Sequence, residues 1–293
     1  MLIGISRIIS ISFILAGLII LTNSCGKPEP IETNTNFLGH KGSGNNNYND
    51  LLMENTLPSV ISAVNRLDGA ELDIQMSLDG TPWIWHNASL KGYVCNSNAQ
   101  DTIPKMRDIE IEQVKICHQT KQDRIYKLSE VLSWNNAGPG VYISLDIKVS
   151  FSAATFKLYG DRNGYLTQLA NSLVTIFENY RHTDKTLVEV DNQLFCTRLK
   201  SFPSTRNITT CFMRYEPMQQ KIANAVRLGY EGLSCNYTDP SVTKETVAAA
   251  QKAGLKVQLW TPYYRDELRK AFAMNPDFVQ TDNIYAKQAL NVR

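Results

Sequence analysis

The sequence predicts an α/β fold, a (β/α)₈ barrel, and three observations lead there. From residue 37 onward, short β-rich runs alternate with helix-like stretches, and the strand candidates number eight. Strands separated by helices imply parallel pairing through right-handed crossovers. Eight such repeats in a chain of 293 residues fit one closed barrel better than an open sheet. No glycine-rich nucleotide loop follows any strand, which counts against a doubly wound sheet.

The strand candidates, in order, are residues 36–40 (NFLGH), 69–75 (GAELDIQ), 140–148 (GVYISLDIK), 186–191 (TLVEVD), 208–213 (ITTCFM), 231–235 (EGLSC), 255–261 (LKVQLWT) and 277–282 (DFVQTD). Each is a short β-branched or aromatic run bounded by turn formers. Between them lie helical faces. Residues 58–67 carry apolar side chains at 60, 61, 64 and 67, with Thr56 as N-cap before an early proline. Residues 128–134, 165–180, 217–228, 242–253 and 265–272 repeat the pattern. Gly229 and Gly254 follow two of these helices, where a left-handed C-terminal residue is wanted. The polar stretch from about 88 to 125, with Lys91, Asn96, Asn98 and Gln100, breaks the rhythm and reads as an insertion after the second unit. An insertion at the C-terminal end of a strand lies over a barrel's active face.

Ahead of the barrel stands a different kind of segment. Arg7 is followed by an apolar run from Ile8 to Leu21, then by TNSCGKPEP. As a helix the run spans roughly 21 Å at ~1.5 Å per residue, short of the about 30 Å of a bilayer core. A basic residue, a short apolar stretch and small polar residues read as an export signal over residues 1–24. LTNSC resembles a bacterial lipoprotein cleavage site, with Thr22 where leucine is preferred. That resemblance implies a lipid on Cys25 and anchoring in the cell envelope; the polar stretch with two prolines that follows reads as a tether over 25–36, ahead of a domain over 37–293. Export places the remaining cysteines in an oxidising compartment. Cys95 with Cys117, and Cys196 with Cys211, are possible bridges; buried free thiols are the alternative, and connectivity is not fixed by sequence. A formal charge of +2 gives no footprint for nucleic acid.

Barrel chemistry gathers at the C-terminal rim. There the strands bring His40 and Lys41, Glu71 and Asp73, Asp146 and Lys148, Trp260 and Asp282. A basic pair beside permissive glycines suits an anionic ligand. Residues two apart on a strand share a face, so Glu71 with Asp73, and Asp146 with Lys148, point into the barrel together. Unpaired, each charge there costs several kcal/mol. Three carboxylates without cysteine favour one divalent cation, Mg²⁺ or Ca²⁺, over zinc; an ion-pair network closed by Lys148 is the alternative. In DGTPWIWHNASL, a tight turn and an apolar ribbon deliver His86 to the same rim. Two imidazoles around an anion held by a cation suit phosphodiester hydrolysis, one taking a proton and the other giving one. Trp260, at the end of its strand, is placed to wall the pocket. Glu189 reads equally as a partner of Lys148 or a solvated strand end.

HKG at 40–42, ENT at 54–56 and GAELDIQMSLDGTPWIWHNASL at 69–90 closely resemble the signature of the glycerophosphodiester phosphodiesterases, in the phospholipase C-like superfamily. RIYKLSEVL, LDIK, LWT and TDNI continue the likeness, in order, over essentially the whole barrel segment. The resemblance implies a TIM barrel, His40 and His86 as the acid/base pair, and Glu71, Asp73 and Asp146 as metal ligands. It also implies Lys148 on the phosphate, Glu54 as a supporting residue, and Asn55 and Thr56 as structural. The sequence departs from the pattern at Lys41 (arginine in the family), Asp146 (glutamate), Asn87 (aspartate) and Ile284 (proline). Lysine keeps the charge but loses the two-pronged grip. The expected activity is metal-dependent hydrolysis of a small glycerophosphodiester to glycerol 3-phosphate and an alcohol. A phospholipase D-like action on lipid head groups, or a surface lipoprotein that only binds phosphodiesters, are the alternatives.

Overall fold

The structure is a computed structural model, and it describes residues 29–48, 52–95 and 101–293. The export segment, Cys25, the start of the tether, and Asn96, Asn98 and Gln100 of the insertion lie outside the described residues.

The barrel strands are β1 (Asn36–Gly39), β2 (Gly69–Met76), β3 (Tyr142–Ile147), β4 (Thr186–Val190), β5 (Thr209–Phe212), β6 (Gly232–Asn236), β7 (Lys256–Trp260) and β8 (Phe278–Thr281). Each pairs in parallel with its sequence neighbour, and β8 returns to β1 in the register Asn36↔Phe278 to close the barrel. All eight strands anticipated from the sequence are present, within two residues at each end. Their outward positions, such as Leu72, Leu145, Val188 and Leu233, are fully buried under the helices. Four helices went unanticipated: the one-turn pieces Asp108–Ile111 and Ala286–Leu290, and the side-chain-capped Ala153–Lys157 and Gln193–Lys200. The last two are capped by a Ser or Asn side chain, Ser152 on Thr155 N and Asn192 on Phe195 N. None of the four is long enough to show much periodicity.

Inward positions explain what the barrel is for. Its lower level is apolar, with Leu38, Leu187, Cys211 and Phe278. Above it, β3, β4, β6 and β8 supply buried polar side chains. There the Glu189 carboxylate accepts from Ser144 Oγ (2.8 Å), Ser234 Oγ (2.5 Å) and Gln280 Nε2 (2.5 Å). The strand alternation that turns Cys211 inward leaves Cys196 among the helices, so that bridge does not form. Cys95 and Cys117 are also free thiols.

The insertion is less polar than its composition suggested. A strand Pro82–Ile84 runs antiparallel to β2, and a hairpin pairs Lys115–His118 with Lys121–Arg124. Leu90, Ile103, Ile111, Val114, Ile116 and Ile125 bury themselves against Met53, Trp83 and Trp85 as a separate small core. Its polar residues form the outer shell of that core. Lys121 Nζ donates to the Asn46 carbonyl at 2.9 Å, which ties the hairpin to the loop after β1. Among the described residues no helix is long and apolar enough to cross a membrane.

Candidate active site

The loop after β1 shows why this stretch needs its glycines. A Cβ on Gly39 would meet the Gly42 carbonyl oxygen at 1.9 Å, and one on Gly44 would meet the Asp282 carbonyl oxygen at 2.4 Å. The chain therefore folds back tightly over the strand end, and His40 lands beside the end of β8. Its Nδ1–H donates to Asp282 Oδ1 at 2.8 Å, and its Nε2 faces Glu71 Oε2 at 3.9 Å. Asp282 is itself fixed by Asn45, whose backbone N–H and side-chain amide reach its two oxygens at 2.8 and 2.9 Å. Sequence inspection put Asp282 on the rim without assigning it this partner; the eighth-strand TD opposite the first-strand histidine was the available signal.

Glu71 and Asp73 are 1% exposed on β2, and Asp146 stands on β3 in register with Asp73. Oxygens of all three come within 4.8 Å of one another, the one acidic cluster of metal-binding shape among the described residues. Asn55 grips Asp73 twice: Nδ2–H donates to Asp73 Oδ2 at 2.7 Å, and Asp73 N–H donates to Asn55 Oδ1 at 3.1 Å. Asn55, expected to serve only the helix cap, also orients a site carboxylate. Lys148 Nζ sits between Asp73 Oδ1 (2.7 Å) and Asp146 Oδ2 (2.5 Å).

His86 reaches the site by the return strand. Trp85 N–H donates to the Asp73 carbonyl at 2.9 Å, and the Gln75 amide holds the carbonyls of Trp85 and Asn87 at 2.9 and 2.8 Å. A buried glutamine thus places the histidine. His86 Nδ1 shares a hydrogen bond with Asn87 Oδ1 at 3.1 Å. The asparagine in place of aspartate keeps the acceptor and loses the charge.

Lys41 and Glu54 are arranged differently from a phosphate grip. The Lys41 ammonium is buried and paired with Glu54 Oε1 at 3.2 Å, while Glu54 Oε2 accepts from Asn46 N–H at 2.8 Å. What Lys41 gives the site directly is its backbone N–H, donated to Glu71 Oε2 at 2.8 Å. Glu54 orders the loop, as a supporting residue should.

These groups open into a cleft of about 430 Å³. His40, Glu71, His86, Asp146 and Lys148 border it from strands β1 to β3, with Glu189 at its floor. Met213, Tyr215 and Trp260 border it from β5 and β7, across the barrel.

Charge is unbalanced inside it. Burial, then the negative charges of Asp73, Glu189 and Asp146, push the Glu71 carboxyl well above its usual range. Burial also raises Asp146, to about 7, against the opposing pull of Lys148. Burial works the same way on Asp73, but Lys148 and the neighbouring histidines and Lys41 hold it below the usual range. Desolvation lowers His86, which favours the neutral imidazole. Lys148 stays charged, since Asp73 and Asp146 outweigh its burial. Asp146 Oδ1 is buried and accepts no hydrogen bond. Four carboxylates around one ammonium, with an orphaned acidic oxygen, are a donor set that fits a hard divalent cation.

The sequence profile described as the Glycerophosphoryl diester phosphodiesterase family matches residues 40–286 of the chain. No curated protein matches it by sequence. Solved structures share the fold. A phosphodiesterase of Oleispira antarctica, in complex with the product sn-glycerol-3-phosphate, is similar with a TM-score of 0.70 and 18% identity over 87% of this chain and 96% of its own. A glycerophosphodiester phosphodiesterase of Parabacteroides distasonis has a TM-score of 0.68 and 15% identity, covering 89% and 98%. One of Thermotoga maritima has 0.60 and 17%, covering 85% and 95%.

Proposed function

Because the chain belongs to the glycerophosphoryl diester phosphodiesterase family, an enzyme family of phosphoric diester hydrolases, we propose that it hydrolyses small glycerophosphodiesters to glycerol 3-phosphate and an alcohol, with His40 and His86 as the acid/base pair and Glu71, Asp73 and Asp146 as the holders of a divalent cation. The observation that carries this reading is the convergence of both imidazoles and the acidic cluster on one cleft. The Oleispira antarctica structure, with its glycerol-3-phosphate product, supports the product named.

Each residue's part follows from its contacts. Asp282 takes the Nδ1 proton of His40 in a hydrogen bond, so Nε2 is the atom that His40 presents to the cleft. Asn87 does the same for His86. One ring accepts a proton from the attacking hydroxyl, and the other delivers one to the departing oxygen. With a vicinal hydroxyl on glycerol as the attacker, a cyclic phosphate forms first, and water then opens it with the two rings in exchanged roles. The Lys148 ammonium, at the mouth of the acidic cluster, neutralises charge building on the non-bridging oxygens. Glu71, Asp73 and Asp146 would hold the divalent cation, which when bound supplies Lewis-acid stabilisation of the phosphoryl oxygens. Asparagine and glutamine side chains (Asn55, Gln75) keep these groups in place.

We also propose that the chain is exported and lipid-anchored through Cys25, on the strength of the N-terminal pattern of a basic residue, an apolar run and LTNSC.

The test is a panel of glycerophosphodiesters, assayed for glycerol 3-phosphate with Mg²⁺ or Ca²⁺ and again with chelator. The reading expects release only in the presence of the cation. Turnover that survives exhaustive chelation, or release of free phosphate in place of glycerol 3-phosphate, would overturn it. The same panel includes lysolipids, to meet a phospholipase D-like action on lipid head groups.

A further inference from the structure

The reading above leaves the alcohol half of the substrate unassigned. Resting on it, we propose that the wall of the cleft across from the histidines selects a cationic alcohol, a quaternary ammonium group above all, with Tyr215 as the specificity-determining residue beside Trp260.

The wall is built from the ends of β5 and β7. Met213 follows β5, Tyr215 stands two residues further on, and Trp260 ends β7; all three border the cleft. Tyr215 and Trp260 meet edge to face, with centroids 6.5 Å apart and planes at 86°. Two rings at right angles leave a corner with a π-face on one side, in a cleft that Met213 also borders. Such a corner receives a methylated cation and offers little to a polyol. A single exposed tyrosine on a protein surface needs no explanation. Tyr215 is unusual in its position: it is 86% exposed and yet borders the catalytic cleft.

The charged neighbours of Tyr215 are engaged elsewhere. Arg214 is turned to Asp191, with two hydrogen bonds of 2.9 Å. Glu216 accepts from the Asn224 amide at 3.0 and 3.1 Å. Neither competes for the corner, and the guanidinium that would repel a cation points at its own carboxylate.

The charge of the cleft agrees with this. Glu189 lies at its floor, buried to 2% exposure, and its three hydrogen-bond donors are all neutral. Four carboxyl groups and one ammonium make the cleft an acidic one, and the substrate's phosphodiester brings a further negative charge into it. A leaving alcohol with a fixed positive charge offsets that excess; glycerol or an anionic alcohol does not.

The test separates charge from shape. Glycerophosphocholine is compared with its uncharged isostere, the glycerophosphodiester of 3,3-dimethylbutanol, by kcat/KM on the full-length enzyme with Mg²⁺. The proposal expects the choline ester to be preferred by about 3- to 30-fold, the span of a cation–π contact. Tyr215→Leu should cut that preference at least threefold, and Tyr215→Phe, which keeps the ring, should retain it. Tetramethylammonium should inhibit competitively, and less well in Tyr215→Leu. Equal kcat/KM for the two esters, or a preference untouched by Tyr215→Leu, would overturn the proposal. If other glycerophosphodiesters are turned over and the choline ester is not, this inference fails while the phosphodiesterase reading stands. If none is turned over, the reading beneath it fails.

Discussion

Removing one site carboxylate should stabilise the metal-free protein, and the structure says by how much and in what pH range. Asp146 has a folded pKa of about 7 against an ordinary value of 3.8, because it is buried beside Glu189 and Asp73. A carboxyl that holds its proton more tightly folded than unfolded costs nothing below about pH 4. Its penalty grows as pH rises from there through about 7, then stays constant. At roughly 1.4 kcal/mol for each tenfold change in proton affinity, the rise from 3.8 to about 7 makes the full penalty on the order of 4 kcal/mol. Asp146→Asn removes it while Lys148 keeps its pair with Asp73 at 2.7 Å. In chelator, the variant should melt a few degrees above the wild type at pH 5 and on the order of 10 °C above it at pH 8, for a domain this large. Mg²⁺ or Ca²⁺ should reverse the order at pH 8, because the wild type gains a ligand-bound state that the variant has lost. The assay is thermal melting by circular dichroism from pH 5 to 8, with and without cation. A difference between the two proteins that is the same at every pH would refute the reasoning, since it would mean that Asp146 carries no strained charge.

Two further outcomes follow from the proton-transfer geometry. His40→Ala and His86→Ala should each lower kcat by at least ~10²–10⁴, while metal binding measured by calorimetry persists, since neither ring is needed by the acidic cluster. Asp282→Asn should lower kcat on the order of 10²-fold with KM little changed and an altered pH–rate profile, because it reverses the hydrogen bond that fixes the His40 tautomer at 2.8 Å. An unchanged pH profile in that variant would reduce Asp282 to a loop anchor for Asn45.

Much of this was legible in the residue order, and the parts that were not have physical reasons. Parallel barrel strands are short and repeat a simple pattern, so all eight could be read, and the two-residue spacing of Glu71 with Asp73 and of Asp146 with Lys148 put each pair on one inward face. What escaped were contacts between residues far apart in sequence. Asp282 meets His40 across 242 positions, and Asn55 reaches Asp73 only because a left-handed turn at Asn55 (φ 58°) aims its amide inward. Beside His40 and the glycines, Lys41 suits an anionic ligand by its charge; its own φ of 52° instead carries the ammonium to Glu54. Glu189 was undecided between Lys148 and solvent, and it chose neither, bonding instead to Ser144, Ser234 and Gln280. The insertion looked polar because its apolar residues are scattered singly, with no periodicity to reveal that Leu90, Ile103, Ile116 and Ile125 would meet over Trp83 and Trp85.

The central claim is that one cation sits among Glu71, Asp73 and Asp146, within reach of both imidazoles. The measurement that tests it most directly is anomalous scattering from crystals of the enzyme soaked in Mn²⁺, a reporter for the harder divalent cations. A single peak within about 2.3 Å of oxygens from all three side chains, with the Lys148 ammonium moved off the cluster, is the predicted result. A cluster still closed by Lys148 at saturating Mn²⁺, or a peak lying elsewhere, would contradict the account.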